Sequence, residues 1–213
     1  LYFRDLSRPE MPFKLLAEGF DYEYGVVDNI GDKFLVVTNY QAPKKKLVLM
    51  DPANPKPEHW KTVIPEQEDV LESVNLAGGV LVAEYMHNAA SRALLYSIEG
   101  KFLHEMSLPG IGTLSGFSGK REENIAFYGY ASFTFPLTIY QYDIQQNKSE
   151  IYNRPEIDFA PELYEVKQVF YQGLDKTTVP MFIVHKKGLK MDGSNSALLY
   201  GYGGFKSEQV AFP

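Results

Sequence analysis

The sequence predicts a mainly β fold, part of a β-propeller followed by the opening strands of a second domain, and three observations carry that expectation. Strand-like runs bounded by Gly, Pro, Asn, Asp or Lys recur along the chain, with no comparable helical period beside them. Four of these runs close at a fixed offset, since Asp5, Asp51, Ser97 and Asp143 lie 46 residues apart. The composition combines β formers, fifteen Tyr and fourteen Phe, with chain-turning residues, 17 Gly and 13 Pro.

Taken in order, the predicted strands are Leu1 to Asp5, Lys33 to Asn39, Leu47 to Asp51, Gly79 to Met86, Ala93 to Ile98, Asn124 to Tyr130 and Leu137 to Asp143. Four residues before each periodic Asp or Ser stand Leu1, Leu47, Ala93 and Ile139, and three before stand Tyr2, Val48, Leu94 and Tyr140. A period in the mid-forties with about four short strands in it is the signature of propeller blades, each of which hides its apolar faces by stacking on its neighbours. The competing architecture is a β-sandwich whose strand spacing matches by coincidence. The period runs from Leu1 to about Glu156, a little over three blades, fewer than the roughly four to eight of a closed ring, so the chain reads as part of a ring.

After Pro155 the pattern changes. Tyr164 to Tyr171 and Thr178 to Lys186 read as two strands joined by a turn over Gln172 to Lys176, with Pro180 near the start of the second. A polar loop over Gly188 to Ser196 follows, and then a compact apolar strand, Ala197 to Tyr200, runs into Gly201-Tyr202-Gly203-Gly204-Phe205. The boundary falls near residues 153 to 162, giving blades over 1–157 and a second domain over 158–213.

Composition removes several classes of function. No Cys is present, which excludes disulfides, thiolate metal sites and a cysteine nucleophile. A net charge of −6 repels a phosphate backbone, so nucleic acid is not an expected partner. No apolar run has the length of a membrane span, so none is expected to enter a bilayer. The start, Leu1-Tyr2-Phe3-Arg4-Asp5, has neither an initiator Met nor a signal-peptide layout and reads as a strand within a longer chain. The compartment stays open between cytoplasm and periplasm.

Among candidate motifs, the Gly-rich segment after Tyr200 is the most informative. Glycines behind an apolar strand let backbone amides and one protruding side chain approach a ligand, as in oxyanion-binding loops of α/β-type serine hydrolases, although tight packing alone also calls for such a bend. The segment has neither the third glycine of a dinucleotide loop nor the Gly-Lys of a P-loop. His59, His87, His104 and His185 are scattered without metal-ligand spacing and read as surface or strand residues. Gly116-Phe117-Ser118-Gly119-Lys120 misses the last Gly of a nucleophile elbow and reads as a turn. Lys44-Lys45-Lys46 reads as a solvated hairpin tip, Asp192 to Asn195 as a turn, and Trp60 as blade core. No metal or cofactor is expected.

The order of features, together with Val179-Pro180-Met181-Phe182-Ile183-Val184-His185-Lys186-Lys187-Gly188 and Leu199-Tyr200-Gly201-Tyr202-Gly203-Gly204-Phe205, resembles the prolyl oligopeptidase family of serine peptidases. The resemblance implies a seven-bladed propeller that caps an α/β-hydrolase domain, restricts access to oligopeptides and allows cleavage on the carboxyl side of proline. By position it implies that Tyr202 donates its hydroxyl to the oxyanion and that Phe205 walls the proline pocket. The family's nucleophilic Ser, its Asp and its His have no counterpart in this chain. The chain therefore reads as a central fragment, inactive alone, whose partners are proline-containing oligopeptides and the remainder of the parent polypeptide. The alternative is a non-enzymatic propeller serving as a binding scaffold.

Overall fold

In a computed structural model, residues 1–201 are described. The strands, in chain order, are β1 Tyr2–Phe3, β2 Lys14–Leu15, β3 Tyr24–Ile30, β4 Lys33–Thr38, β5 Lys46–Met50, β6 Lys61–Ile64, β7 Val70–Ala77, β8 Val80–His87, β9 Ala90–Ser97, β10 Phe102–Glu105, β11 Thr113–Gly119, β12 Ile125–Ala131, β13 Thr138–Asp143, β14 Lys148–Asn153, β15 Tyr164–Gln172 and β16 Thr178–Lys186. Helical structure among these residues is confined to two short 3-10 turns, Pro57–His59 and Pro161–Leu163. The strands form three four-stranded sheets, β3 to β6, β7 to β10 and β11 to β14, and two two-stranded ones, β1-β2 and β15-β16. Within each sheet the neighbours follow one another in sequence, the meander of a propeller blade.

The 46-residue offset is structural. Asp51 directly follows β5, Ser97 ends β9 and Asp143 ends β13, each the third strand of its sheet. Asp5 follows β1, whose antiparallel pairing with β2 repeats the third-to-fourth pairing of the larger sheets. The structure also supplies a physical reason for oxygen-bearing residues at this position. The Asp5 carboxylate accepts from the Ser7 amide at 2.9 Å, Asp51 from Ala53 at 2.9 Å, the Ser97 hydroxyl from Glu99 at 3.3 Å, and Asp143 from Gln146 at 2.8 Å. The side chain that ends each third strand thus holds the turn into the fourth. These bonds lower the carboxyl pKa: Asp5 falls to about 2 under the Ser7 hydroxyl and Arg8, and Asp51 falls mainly through the Ala53 amide.

The chain forms two compact units. The first comprises Leu1–Tyr85, Ala93–Met106 and Gly119–Asn124, and the second comprises Met86–Arg92, Ser107–Ser118 and the residues from Ile125 onward. In the first unit, β4 and β5 are buried on both faces, and alternation sends their side chains into different cores. Leu35, Val37, Leu47 and Leu49 join Leu71, Leu76, Leu81, Ala83 and Tyr85 of the next sheet. Phe34, Val36, Val48 and Met50 join Leu1, Phe3 and Leu16 of the β1-β2 sheet. The register agrees, with Leu35 opposite Leu49 and Val36 opposite Val48. One sheet covered on both sides by neighbours is the stacking that a propeller requires. Trp60, half-buried, packs against the second of these cores and donates its indole N–H to the Pro55 carbonyl at 2.8 Å.

The first strands of the first two four-stranded sheets approach one another, β3 lying beside β7. The turn after β7 and the end of β3 both meet the residues that follow β11. The Gly78 amide donates to the Lys120 carbonyl at 3.0 Å, and the Arg121 guanidinium reaches both Asp28 and the Asn29 carbonyl.

In the second unit, β12 and β13 pair with Tyr128 directly opposite Tyr140, their rings stacked at 5.2 Å. Phe117 stacks on Tyr128 and meets the edge of Tyr142. The buried hydroxyls of Tyr128 and Tyr142 are satisfied by Ser149 at 3.0 Å and Asn147 at 2.8 Å.

Three sequence expectations need correction. Ala197 to Tyr200 is not a strand: among the described residues nothing pairs with it, and Leu198 and Leu199 are 94% and 87% exposed. An apolar run becomes a strand only when a neighbour satisfies its backbone groups. Gly116 to Gly119 is part of β11 rather than a turn, with Gly116 at φ +61° bending the strand. Lys44 to Lys46 is not a solvated tip. Lys44 donates to the Glu66 side chain through its amide and to the Glu68 carbonyl through Nζ, Lys45 pairs with Glu23 at 3.2 Å, and Lys46 lies over the Tyr40 ring.

Candidate functional site

The candidate oxyanion donor Tyr202 and pocket residue Phe205 lie outside the described residues. The structure describes the scaffold that leads to them. Strands β15 and β16 form a hairpin of nine directly opposed pairs, from Tyr164 opposite Lys186 to Gln172 opposite Thr178. Its tip is closed by the Gly173 amide on the Thr177 carbonyl at 2.8 Å and by the Asp175 carboxylate on the Thr177 amide at 3.0 Å. Its base is closed by the Lys187 amide on the Leu163 carbonyl at 2.8 Å. Pro180 fits this ladder near the start of β16, as its missing N–H requires.

Beyond Lys187 the chain folds on itself through short polar contacts. Ser194 donates to Asp192 through both its amide, at 3.1 Å, and its hydroxyl, at 2.6 Å, and the Asn195 side chain donates to the Lys190 carbonyl at 2.7 Å. The Ser194 hydroxyl and amide, ahead of Lys190, lower the Asp192 pKa. These bonds make the turn foreseen over Asp192 to Asn195. They use the polar groups locally and leave none of them aimed at a reacting centre.

The four histidines are not brought together, and among the described residues no group of three or more His, Asp or Glu could hold a metal. His185 is nevertheless more than a surface residue. It is buried on β16, its Nδ1 lies 2.8 Å from the Lys186 carbonyl oxygen, and its Nε2 lies 3.2 Å from the Glu165 carboxylate directly across the ladder. That last contact lies off hydrogen-bond geometry, so it acts as an electrostatic neighbour. Sequence reasoning missed the pair because its signal, equal distance from the hairpin turn, appears only once the register is known. An open polar depression of about 220 Å³ lies over β12 to β14, lined by Ile125, Gln141, Asp143, Gln146, Lys148 and Glu150. Lys148 and Glu150 neutralise each other there at 2.7 Å.

Four-stranded meander sheets with an equivalent third strand every 46 residues, followed by a separate hairpin, define a propeller segment joined to further structure. Residues 1–155 match the family model described as the prolyl oligopeptidase N-terminal beta-propeller domain. The chain belongs to the prolyl oligopeptidase family, a family of peptidases, and is the propeller part of such a protein together with the residues that follow it. It is 42% identical over 213 residues to the prolyl endopeptidase of Elizabethkingia miricola, covering 100% of this chain and 30% of that protein. It is 34% identical over 208 residues to the dual function macrocyclase-peptidase POPB of Amanita bisporigera, covering 95% of this chain and 28% of that one. The chain thus spans about 30% of the length of the curated relatives it matches.

Solved structures agree. One from a study of two prolyl endopeptidases and their inter-domain dynamics superposes with a TM-score of 0.85 at 39% identity, over 94% of this chain and 30% of that chain. Prolyl oligopeptidase B from Galerina marginata, bound to a 35mer hydrolysis and macrocyclization substrate, superposes with a TM-score of 0.83 at 30% identity, over 94% of this chain and 29% of its own.

Proposed function

We propose that the protein carrying this chain is a serine endopeptidase that cuts oligopeptides on the carboxyl side of proline. The observation that supports this reading most strongly is the 42% identity to a prolyl endopeptidase across all 213 residues, a span that includes the Gly-Tyr-Gly-Gly-Phe segment. In this reading, residues 1–157 are propeller and 158–213 open the peptidase domain. The propeller restricts entry, so that folded proteins are spared and oligopeptides are cut. Proline-containing oligopeptides and the remainder of the parent polypeptide are the partners of this segment.

Tyr202 donates its phenolic O–H to the oxyanion that forms when the scissile carbonyl is attacked, a bond that matters in the transition state more than in the bound substrate. Phe205 gives the proline ring an apolar wall. The nucleophile, its base and the orienting acid come from outside this chain, so the 213 residues alone bind no oxyanion productively and cleave nothing. The test is Tyr202→Phe in the full-length protein: turnover falls on the order of 10²-fold or more while KM is nearly kept. Unchanged turnover removes Tyr202 from the mechanism.

A further inference from the structure

A two-stranded hairpin is marginal in water by itself and needs a surface to lie against. Two side chains of the β15-β16 hairpin that face each other across one rung, Gln168 and Phe182, reach other loops of the second unit, while Tyr164 at its base stacks on Phe159 of the preceding connection. Gln168 Nε2 donates to the Asn88 carbonyl at 2.5 Å, a contact spanning 80 residues of sequence. Phe182 meets Phe133 with ring centroids 5.0 Å apart and planes tilted by 47°. Asn88 sits in the β8-β9 turn and Phe133 in the loop between β12 and β13, so one rung touches two separate loops.

We propose that Gln168 and Phe182 form a single-rung latch by which the hairpin opening the peptidase domain is fastened to the propeller loops at Asn88 and Phe133. The inference rests on the reading of residues 158–213 as the start of that domain. Its chemistry suits a contact that opens and closes. One neutral hydrogen bond and one ring pair together favour the closed arrangement by about ten- to a hundred-fold, against the much larger factors of a packed core. Phe133 is 37% exposed and both hairpin residues are half-buried, so water reaches the contact and can replace it without opening a cavity. The acceptor is also well placed. Asn88 and Ala89 have φ of +49° and +61°, the left-handed values of a primed hairpin turn, and the Asn88 carbonyl accepts from Gln168 there. A connection without regular strand, residues 154–160, precedes the hairpin; its Phe159 stacks on Tyr164, so the part before Phe159 is where the hairpin swings when the rung lets go.

The experiment is hydrogen exchange and limited proteolysis on the full-length protein, comparing Gln168→Ala, Phe182→Ala and, as a control within the hairpin, Gln172→Ala. Among the described residues the Gln172 side chain bonds across its own ladder, to the Thr178 hydroxyl at 2.9 Å. Either latch variant should raise exchange of the amides of the β15-β16 ladder, and cutting within residues 154–160, by about tenfold, while the control leaves both unchanged. Gln168→Ala leaves the apolar contacts intact and decides the matter if Phe182→Ala does not fold. Exchange and cutting that stay at the wild-type level in Gln168→Ala, or rise equally in Gln172→Ala, overturn the latch. Neither readout needs catalysis, so a protein that cuts no proline peptide fails the functional reading without touching this one.

Discussion

The Arg121 guanidinium lies 2.5 Å from the Asp28 carboxylate and 2.6 Å from the Asn29 carbonyl, joining the turn after β11 to the end of β3 across 93 residues of sequence. The first turn of the sheet between them in sequence bonds to the neighbouring Lys120 carbonyl through its Gly78 amide. Asp28 is presented by a bulge in β3, where the register with β4 slips between Val26 and Asp28. The pair is roughly one-third exposed, so its worth is modest, but the guanidinium donates both to the charged Asp28 carboxylate and to the neutral Asn29 carbonyl. Arg121→Ala should cost about 1 kcal/mol in urea unfolding of the full-length protein, and Arg121→Lys should recover only part of it. Equal midpoints for wild type and Ala would remove the bridge from the stability of the inner turns.

Asp51→Ala should lower the thermal midpoint by removing the acceptor that holds the turn into β6, whereas Asp51→Asn should restore most of it. Asn keeps the acceptor of the Ala53 amide and loses only the charge facing Lys33, 3.2 Å away. If Asn were as damaging as Ala, the charge and not the turn bond would explain the periodic residue.

The third strands were legible because propeller stacking buries both of their faces. Leu47 to Met50 therefore reads as an unbroken apolar run, as does Ala93 to Tyr96 before Ser97, while the run before Asp143 is interrupted only by Thr138 and Gln141. The outer strands were not. Strand β14, Lys148–Asn153, is exposed along most of its length, and β10 and β6 each set two apolar residues beside two polar ones, His and Glu or Lys and Thr, without the alternation that marks a strand. The first strands β3 and β7 carry Asp28, Asn29, Glu72 and Asn75, and they hold strand geometry by pairing rather than by propensity. Of the candidate site, Tyr202 and Phe205 were legible only through resemblance, because a Gly-rich bend has the same local signature whether it packs or binds. The Glu165 and His185 pair and the Gln168 and Phe182 rung depend on register, which no local pattern encodes.

Gly100→Ala should be strongly destabilising, by roughly 2 kcal/mol or more in denaturant unfolding. Gly100 has φ +90°, and a Cβ there would lie 1.8 Å from the Val63 carbonyl oxygen at the end of β6. The turn between β9 and β10 therefore packs directly on backbone of the preceding sheet. A stable Ala variant would mean that this approach is looser than described.

Alkaline pH should unfold the protein through its buried phenols. Burial, then the neighbouring Tyr128 and Asp143, pushes the Tyr142 pKa from 10.0 up to about 12, and burial raises Tyr128 and Tyr130 as well. The folded state holds these protons more tightly than the unfolded chain. Their contribution is complete below pH 10 and is lost as pH climbs toward 12. Denaturation midpoints across that range should fall together with the appearance of tyrosinate absorbance. A midpoint that stays level above pH 10 would contradict the burial of these rings.

Phe205→Ala in the full-length protein should narrow the preference for proline over alanine at the cleaved position by roughly 1 to 3 kcal/mol in kcat/KM, the usual size of one apolar pocket contact. An unchanged ratio would place the pocket wall elsewhere.

The most direct measurement is mass-spectrometric mapping of the cuts that the full-length protein makes in a set of oligopeptides carrying a single proline at varied positions, with and without a serine-directed phosphonylating reagent. The account predicts cuts on the carboxyl side of proline, abolished by the reagent, and none by the isolated 213-residue chain. Cuts elsewhere, insensitivity to the reagent, or intact peptides would contradict it.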